Sequence, residues 1–223
     1  MTTKQYNKFA REYEKLTEEM EEETRDNYYS LISVNLRDKK LLDVGCGDGG
    51  DFIYYSKKGA KIFGLDISKE QIRLAKEKTS GKFIVGNMEE IPYPDNFFDV
   101  VTSKYALQSS KDVRKALEEM VRVAKKGAEI LILTKHPFRN FLEGHINNGK
   151  KNYFQQSKVD SYIFNRKIKL TEPSHTMEEY ISPFLLEKAS LEKLEEHSDF
   201  PASEQVIKGL TYPTYMILKY KKK

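Results

Sequence analysis

The stretch Lys40 to Gly50, KLLDVGCGDGG, constrains this chain more than any other. Leu41, Leu42 and Val44 form a short apolar run, and Gly45, Gly47 and Gly49 follow at alternate positions. A buried strand that breaks into a glycine-rich turn brings backbone amides close to a nucleotide in α/β domains. Glycine adopts positive φ and has no Cβ to keep a ligand away. The pattern predicts strand, turn and helix in a parallel sheet, with the helix at Asp51 to Lys58 presenting its first amides to the ligand and Gly59 ending it.

Two ligand classes fit the turn. Gly45, Gly47 and Gly50 satisfy G-x-G-x-x-G, the dinucleotide pattern of NAD(P)-dependent oxidoreductases. The other reading rests on Asp43, an acid on the strand just before the glycines. With it the turn reads D-x-G-x-G-x-G, which resembles motif I of the class I S-adenosylmethionine-dependent methyltransferases. In that resemblance Asp43, Gly45, Cys46, Gly47 and Gly49 are cofactor-binding positions.

The second strand, Ala60 to Leu65, ends in Asp66, about 20 residues past the turn, where an acid accepts both ribose hydroxyls of a nucleotide. Ile67 follows it, and Ser68 caps the helix Lys69 to Lys78. A third strand, Lys82 to Val85, leads into Asn87, Met88 and EEIPYPDNFFDVV. This run resembles the D-x-x-x-L-P-F-x-D-x-x-F-D-x-V segment of the type 11 methyltransferase family. By that resemblance Asn87 stands where the family has an aspartate facing the adenine amine, and Met88 presses on the adenine face. An amide can still accept from that amine through its oxygen. A fourth strand, Phe98 to Ser103, places Lys104 and Leu107 just past its carboxyl end, the edge where open α/β sheets bind ligands. The resemblance has backbone groups there hold the methionine moiety, with Lys104 near its carboxylate. RVAKKGAEILIL matches the helix, turn and strand that close the same cofactor half, and this run separates the methyltransferase pattern from the dehydrogenase one.

Residues 4 to 36 read as two helices, with an apolar stripe of Tyr6, Phe9, Ala10, Tyr13 and Leu16. YNKFAREYE resembles the segment that folds over the cofactor in small-molecule methyltransferases, which makes Tyr6 and Tyr13 lid candidates. Beyond the fifth strand, Glu129 to Thr134, comes a polar and aromatic segment too long for an ordinary connection. Small-molecule methyltransferases insert their substrate cap at this point. Residues 185 to 197 read as an amphipathic helix, and 200 to 220 as a terminal hairpin ending in YMILKY.

Methyl transfer from a sulfonium needs an aligned nucleophile and, for some acceptors, a base. His136, directly after the fifth strand, is the first base candidate because imidazole titrates near neutrality. Arg139, one turn on, would stabilise a phenolate, and His175 in the cap is the second base candidate. The aromatic residues of the cap, among them Phe138, Phe141, Tyr153, Phe154, Tyr162 and Phe164, favour a planar acceptor.

The net charge of +4 is spread through the chain with a few lysines at its end, which predicts no nucleic-acid partner. No apolar run approaches the roughly 20 residues of a membrane span, and the first residues lack a secretory apolar segment, so no membrane partner and a cytoplasmic location are expected. The single cysteine, Cys46, excludes an internal disulfide, and no metal is expected. The resulting expectation is an α/β, Rossmann-like, seven-stranded and mostly parallel sheet with helices on both faces, an antiparallel last strand, an N-terminal helical lid and a cap after strand 5. Its parts are a lid over 1–36, a cofactor-binding half over 37–136, a substrate cap over 137–183, and a C-terminal helix and strand hairpin over 184–223. The resemblance implies S-adenosylmethionine as cofactor, a small-molecule substrate, and a monomer or homodimer. Departure at Asn87 and the lack of an unmistakable base leave a non-catalytic binding module as the alternative.

Overall fold

The computed structural model describes residues 5–10, 22–163, 168–198, 207 and 209–223. Tyr13, Leu16, Phe164 and residues 199–206 and 208 lie outside these residues. Among the described residues, α1 over 5–10 and α2 at Glu22–Ser30 precede the sheet. There follow β1 (Lys40–Val44), α3 (Phe52–Lys57), β2 (Lys61–Asp66), α4 (Lys69–Lys78), β3 (Lys82–Val85), β4 (Phe98–Lys104), α5 (Val113–Val123) and β5 (Ala124–Lys135). The alternation of strand and helix builds a parallel sheet because each crossover must return the chain to the same edge.

Seven strands pair in the order β3-β2-β1-β4-β5-β9-β8, where β8 is Ala189–His197 and β9 is Tyr215–Lys222. The first five are mutually parallel, and β9 runs antiparallel to both β5 and β8. Both faces are covered. Leu42 and Val44 of β1 join the α5 residues Leu117 and Met120 in one cluster, while Leu41 joins Phe52, Tyr55, Ile72 and Ala75 of α3 and α4 in another. Burying each such side chain stabilises the fold by about 1.5–3 kcal/mol.

Between β5 and β8 lie α6 (Pro137–Asn148), an antiparallel pair β6 (Lys158–Ile163) and β7 (Ile168–Pro173), and the short helices α7 (Met177–Tyr180) and α8 (Pro183–Lys188). This is the insertion expected after strand 5.

The C-terminal elements differ from expectation: the hairpin expected over 200–220 is formed instead by β9 with β8. Residues 185–197 are not one helix: α8 ends at Lys188, and the remainder is the edge strand β8. Leu191 and Leu194 are three apart, a helical spacing, yet the register slips between Leu191 and Lys193. The bulge absorbs one residue, so Leu191 pairs with Tyr220 and Leu194 with Leu218, on one face of β9. A period of three plus one bulged residue therefore mimics a helix in the sequence.

Candidate active site

The glycine turn closes against β2. The Gly45 and Cys46 amides donate to the Leu65 carbonyl at 2.7 and 3.1 Å, and the Gly47 amide donates to Asp66 Oδ2 at 2.9 Å. Gly45, Gly47 and Gly49 have φ of 74°, 54° and 77°, the left-handed region. Their reasons for being glycine differ. A Cβ on Gly45 would lie 2.2 Å from Ala106 Cβ, whereas a Cβ on Gly47 would meet nothing within 4 Å. Gly45 is thus required by packing, and Gly47 borders open space. Cys46 points into the core beside Gly64, where burial raises its thiol pKa and its Sγ donates to the Gly47 carbonyl at 3.7 Å.

Asp66 also accepts from the Ser68 amide at 2.8 Å. Each carboxylate oxygen keeps lone pairs for a further donor, and burial raises the pKa of this half-buried group. The next side chain, Ile67, is 38% exposed. Asn87 is exposed, and its side-chain oxygen accepts from the Glu89 amide at 3.0 Å. Met88 is half-buried against the core, with its Cε close to Gly45. Leu107 is fully buried, so any role it has at the edge is through its backbone.

Beneath the turn sits an acidic pair. Asp43 is buried and accepts from Thr102 Oγ1 at 3.0 Å. Burial, reinforced by the neighbouring Asp51, pushes its pKa up to about 8. Asp51 in turn accepts from the Tyr29 hydroxyl and the Lys104 ammonium. Lys104 is thereby paired inside the protein, not held out for a ligand carboxylate.

Helix α1 bridges the two sides of the cleft. Ser68 Oγ donates to Asn7 Oδ1 at 2.6 Å, which ties α1 to the end of β2. Gln5 exchanges side-chain hydrogen bonds with the Thr171 backbone on β7. The Tyr6 hydroxyl lies 2.6 Å from Ser109 Oγ, which donates to Glu172 Oε1 at 3.2 Å. Tyr6 is therefore brought together with the end of β4 and with the inserted hairpin.

Each of the three catalytic candidates has prior commitments within the protein. His136 is the N-cap of α6: the Phe138 amide donates to Nδ1 at 3.0 Å, so the ring proton is on Nε2, which donates to Glu196 Oε1 at 2.7 Å. Burial lowers its pKa. In this arrangement both ring nitrogens of His136, expected as a general base, are engaged, Nδ1 by the Phe138 amide and Nε2 by the half-exposed Glu196. Arg139 is buried and donates to Glu143 Oε1 at 3.0 Å, so it stabilises a carboxylate of the protein instead of an acceptor phenolate. His175 is buried, with Nε2 donating to the Ser110 carbonyl at 2.9 Å and Nδ1 at 3.4 Å from Glu179. It fastens the insertion to the loop after β4.

What the insertion buries is polar. Lys135, the last residue of β5, contacts Glu172 Oε2 at 2.6 Å, Ser161 Oγ at 2.7 Å and Glu143 Oε2 at 3.2 Å, all inside the protein. The two cations hold the Glu143 carboxyl at about 2 against the opposing effect of burial. Of the aromatic residues expected to line an acceptor pocket, Phe154 is 82% exposed and Phe138 39%. Sequence reasoning missed Asn7, Tyr29, Asp51, Ser109, Lys135 and Glu172. Only Asp51 carried a local signal, an acid opening the helix after the glycine turn; the others come together through the fold.

Among the described residues no helix is long and apolar enough to cross a membrane. Residues 42–132 match the family model described as a methyltransferase domain, Methyltransf_11. The chain is 38% identical over 104 residues to the ajmaline N-methyltransferase of Rauvolfia serpentina, covering 43% of this chain and 36% of that protein. It is 36% identical over 116 residues to the demethylmenaquinone methyltransferase of Bacillus licheniformis, covering 49% of this chain and 50% of that one. The chain thus spans between a third and a half of the length of these curated relatives. The crystal structure of an S-adenosylmethionine dependent methyltransferase from Mesorhizobium loti superposes with a TM-score of 0.69 at 16% identity, covering 88% of this chain and 96% of the other, a likeness of fold alone. Residues 42–132 thus carry the methyltransferase domain of the type 11 family, on the sheet order and glycine turn of the class I S-adenosylmethionine-dependent methyltransferase fold.

Proposed function

We propose that the chain transfers a methyl group from S-adenosylmethionine to a small-molecule acceptor. The observation that carries this reading is the pairing of Gly47 with Asp66. Open space borders a left-handed glycine, and a carboxylate fixed by the Gly47 and Ser68 amides stands beside it with lone pairs to accept from ribose hydroxyls. Ile67 and Met88 offer apolar surface for a planar base, with Asn87 near its amine and the Cys46 and Leu107 backbones at the edge. Asp43, Gly45, Gly49 and Lys104 shape the floor: Asp43 and Lys104 through Asp51, the glycines through the turn. The cofactor supplies an electrophilic methyl on a cationic sulfur. The protein's share is to align the acceptor, exclude water and take a proton where the nucleophile carries one.

For the proton, His136 is replaced in this reading by the chain Tyr6, Ser109 and Glu172. Ser109 donates to Glu172 and can accept from Tyr6, so a proton arriving at the Tyr6 oxygen moves on to the carboxylate by two transfers. Residues 1–36 would act as the lid, 37–136 as the cofactor-binding half, 137–183 as the substrate cap, and 184–223 as the part that completes the sheet. The acceptor atom, oxygen, carbon or nitrogen, follows from a screen of acceptors once the cofactor is fixed. Titration calorimetry with S-adenosylhomocysteine, NAD and NADP tests the reading. Micromolar binding of S-adenosylhomocysteine alone is expected; binding of a nicotinamide cofactor instead, or of none, overturns it.

A further inference from the structure

Asn140 is 3% exposed, and neither its side-chain nitrogen nor its side-chain oxygen has a hydrogen-bond partner. Among the described residues it is the one side-chain amide whose nitrogen and oxygen are both buried and unpartnered. Burying such an amide without partners costs more than its hydrogen bonds return in a typical fold, so buried amides are nearly always satisfied. An exception of this kind calls for a reason.

Its position supplies one. Asn140 sits in the first turns of α6, its backbone amide bonded to the His136 carbonyl at 3.1 Å, directly after β5 delivers Lys135 to the ligand edge of the sheet. It shares the buried face of α6 with Arg139, Glu143 and Gly144. Further along that face, Gly144 packs so closely on Val159 and Lys150 that a Cβ there would lie 2.9 and 3.1 Å from them. The helix is thus pressed onto the inserted hairpin beyond Asn140. The charges around it are matched among themselves: Lys135 with Glu143 and Glu172, Arg139 with Glu143. A charged acceptor would have to break these pairs, at the cost of leaving a buried ion alone. The amide is the group at this place with hydrogen-bonding capacity still to satisfy.

We infer that Asn140 is a specificity-determining residue for the methyl acceptor, and that the acceptor is a neutral molecule bearing a donor and an acceptor on adjacent atoms, such as a lactam, a carboxamide or a hydroxy-carbonyl group. An amide meets such a group with two antiparallel hydrogen bonds, nitrogen to oxygen and oxygen to hydrogen. A site that hydrogen-bonds its substrate rejects the analogue lacking one of the groups by a large factor, because its own buried partner is then stranded. This inference rests on the methyl-transfer reading and names the acceptor class of that same site.

The test uses the full chain and two measurements. In the free protein, Asn140→Leu, which keeps the branched shape and removes both polar atoms, is expected to raise the melting temperature by about 2–4 °C or more. A lower melting temperature means that the amide is satisfied within the protein, and overturns the inference. In the protein saturated with S-adenosylhomocysteine, δ-valerolactam is the probe, and cyclohexanone, similar in size but without the donor, is its control. The lactam should shift the Asn140 side-chain amide resonances and bind at least tenfold tighter than cyclohexanone, and Asn140→Leu should erase that difference. Equal binding of the two, no lactam binding, or unshifted Asn140 resonances overturns it. Failure of S-adenosylhomocysteine to bind would instead reject the underlying methyl-transfer reading, while the melting comparison still reports on Asn140.

Discussion

Gly45 and Gly47 stand two residues apart in one turn, and adding a single methyl group to each should have opposite consequences. Both have left-handed φ, 74° and 54°, so alanine at either costs about 1–2 kcal/mol of backbone strain. For Gly47→Ala that is the whole cost to the fold, because the new Cβ meets nothing within 4 Å. For Gly45→Ala the Cβ would lie 2.2 Å from Ala106 Cβ, a side chain with nothing to rotate away, so the loop after β4 must move. Such overpacking adds about 1–3 kcal/mol. At roughly 2–4 °C per kcal/mol for a chain of this size, Gly47→Ala should lose a few degrees of melting temperature and Gly45→Ala clearly more. Binding should rank the other way per unit of stability lost. The Gly47→Ala methyl enters space that the reading gives to the cofactor, so S-adenosylhomocysteine affinity should fall at least about a hundredfold, some 2.8 kcal/mol. Thermal unfolding and titration calorimetry on the two variants supply the numbers. Wild-type affinity in Gly47→Ala would refute the placement of the cofactor beside that glycine. Equal stability of the two variants would refute the steric account of Gly45.

Three further outcomes are expected. Asp43 has a folded pKa of about 8, raised by burial and by Asp51, against about 3.9 in an unfolded chain. Its contribution to stability is therefore fully present below about pH 4 and is lost as pH rises through about 8; urea midpoints of Asp43→Asn should not show that loss, and parallel pH profiles for the two proteins would contradict the assignment. His136→Ala removes the cap of α6 and should lower stability by about 0.5–2 kcal/mol while leaving S-adenosylhomocysteine affinity unchanged; turnover reduced a thousandfold would return His136 to the chemistry. With an acceptor in hand, Tyr6→Phe and Glu172→Gln should each lower kcat by about 10²–10⁴ with KM little changed, and with the high-pH limb of the rate retained; a change confined to KM would make them positioning residues only.

Much of the cofactor half was legible because its signals are local. Short apolar-rich runs, broken by glycine or followed by a helix capped at Ser68, place β1 to β5 and their helices whatever the rest of the chain does. The glycine turn is local in the same sense: positive φ at Gly45, Gly47 and Gly49 is a demand of a few bonds, met by the residue without a Cβ. The helical reading of 185–197 failed for a related reason. A three-residue leucine spacing has two solutions, one turn of helix or a bulged strand, and pairing with β9 chose the second.

The sequence by itself determined the order of elements through β5, the methyltransferase-domain match over 42–132 and the turn that the cofactor reading rests on. Only the tertiary structure decided which polar groups meet. Tyr6 finds Ser109 across 103 residues, Ser109 finds Glu172 across 63, and Asn7 finds Ser68 across 61. No periodicity encodes such partners, because their bonds depend on where separate elements dock. The same docking engages His136 with a helix terminus and Glu196, and leaves Asn140 buried without a partner. Backbone conformation is set by near neighbours in the chain, whereas the availability of a proton, a charge or an amide is set by neighbours in space.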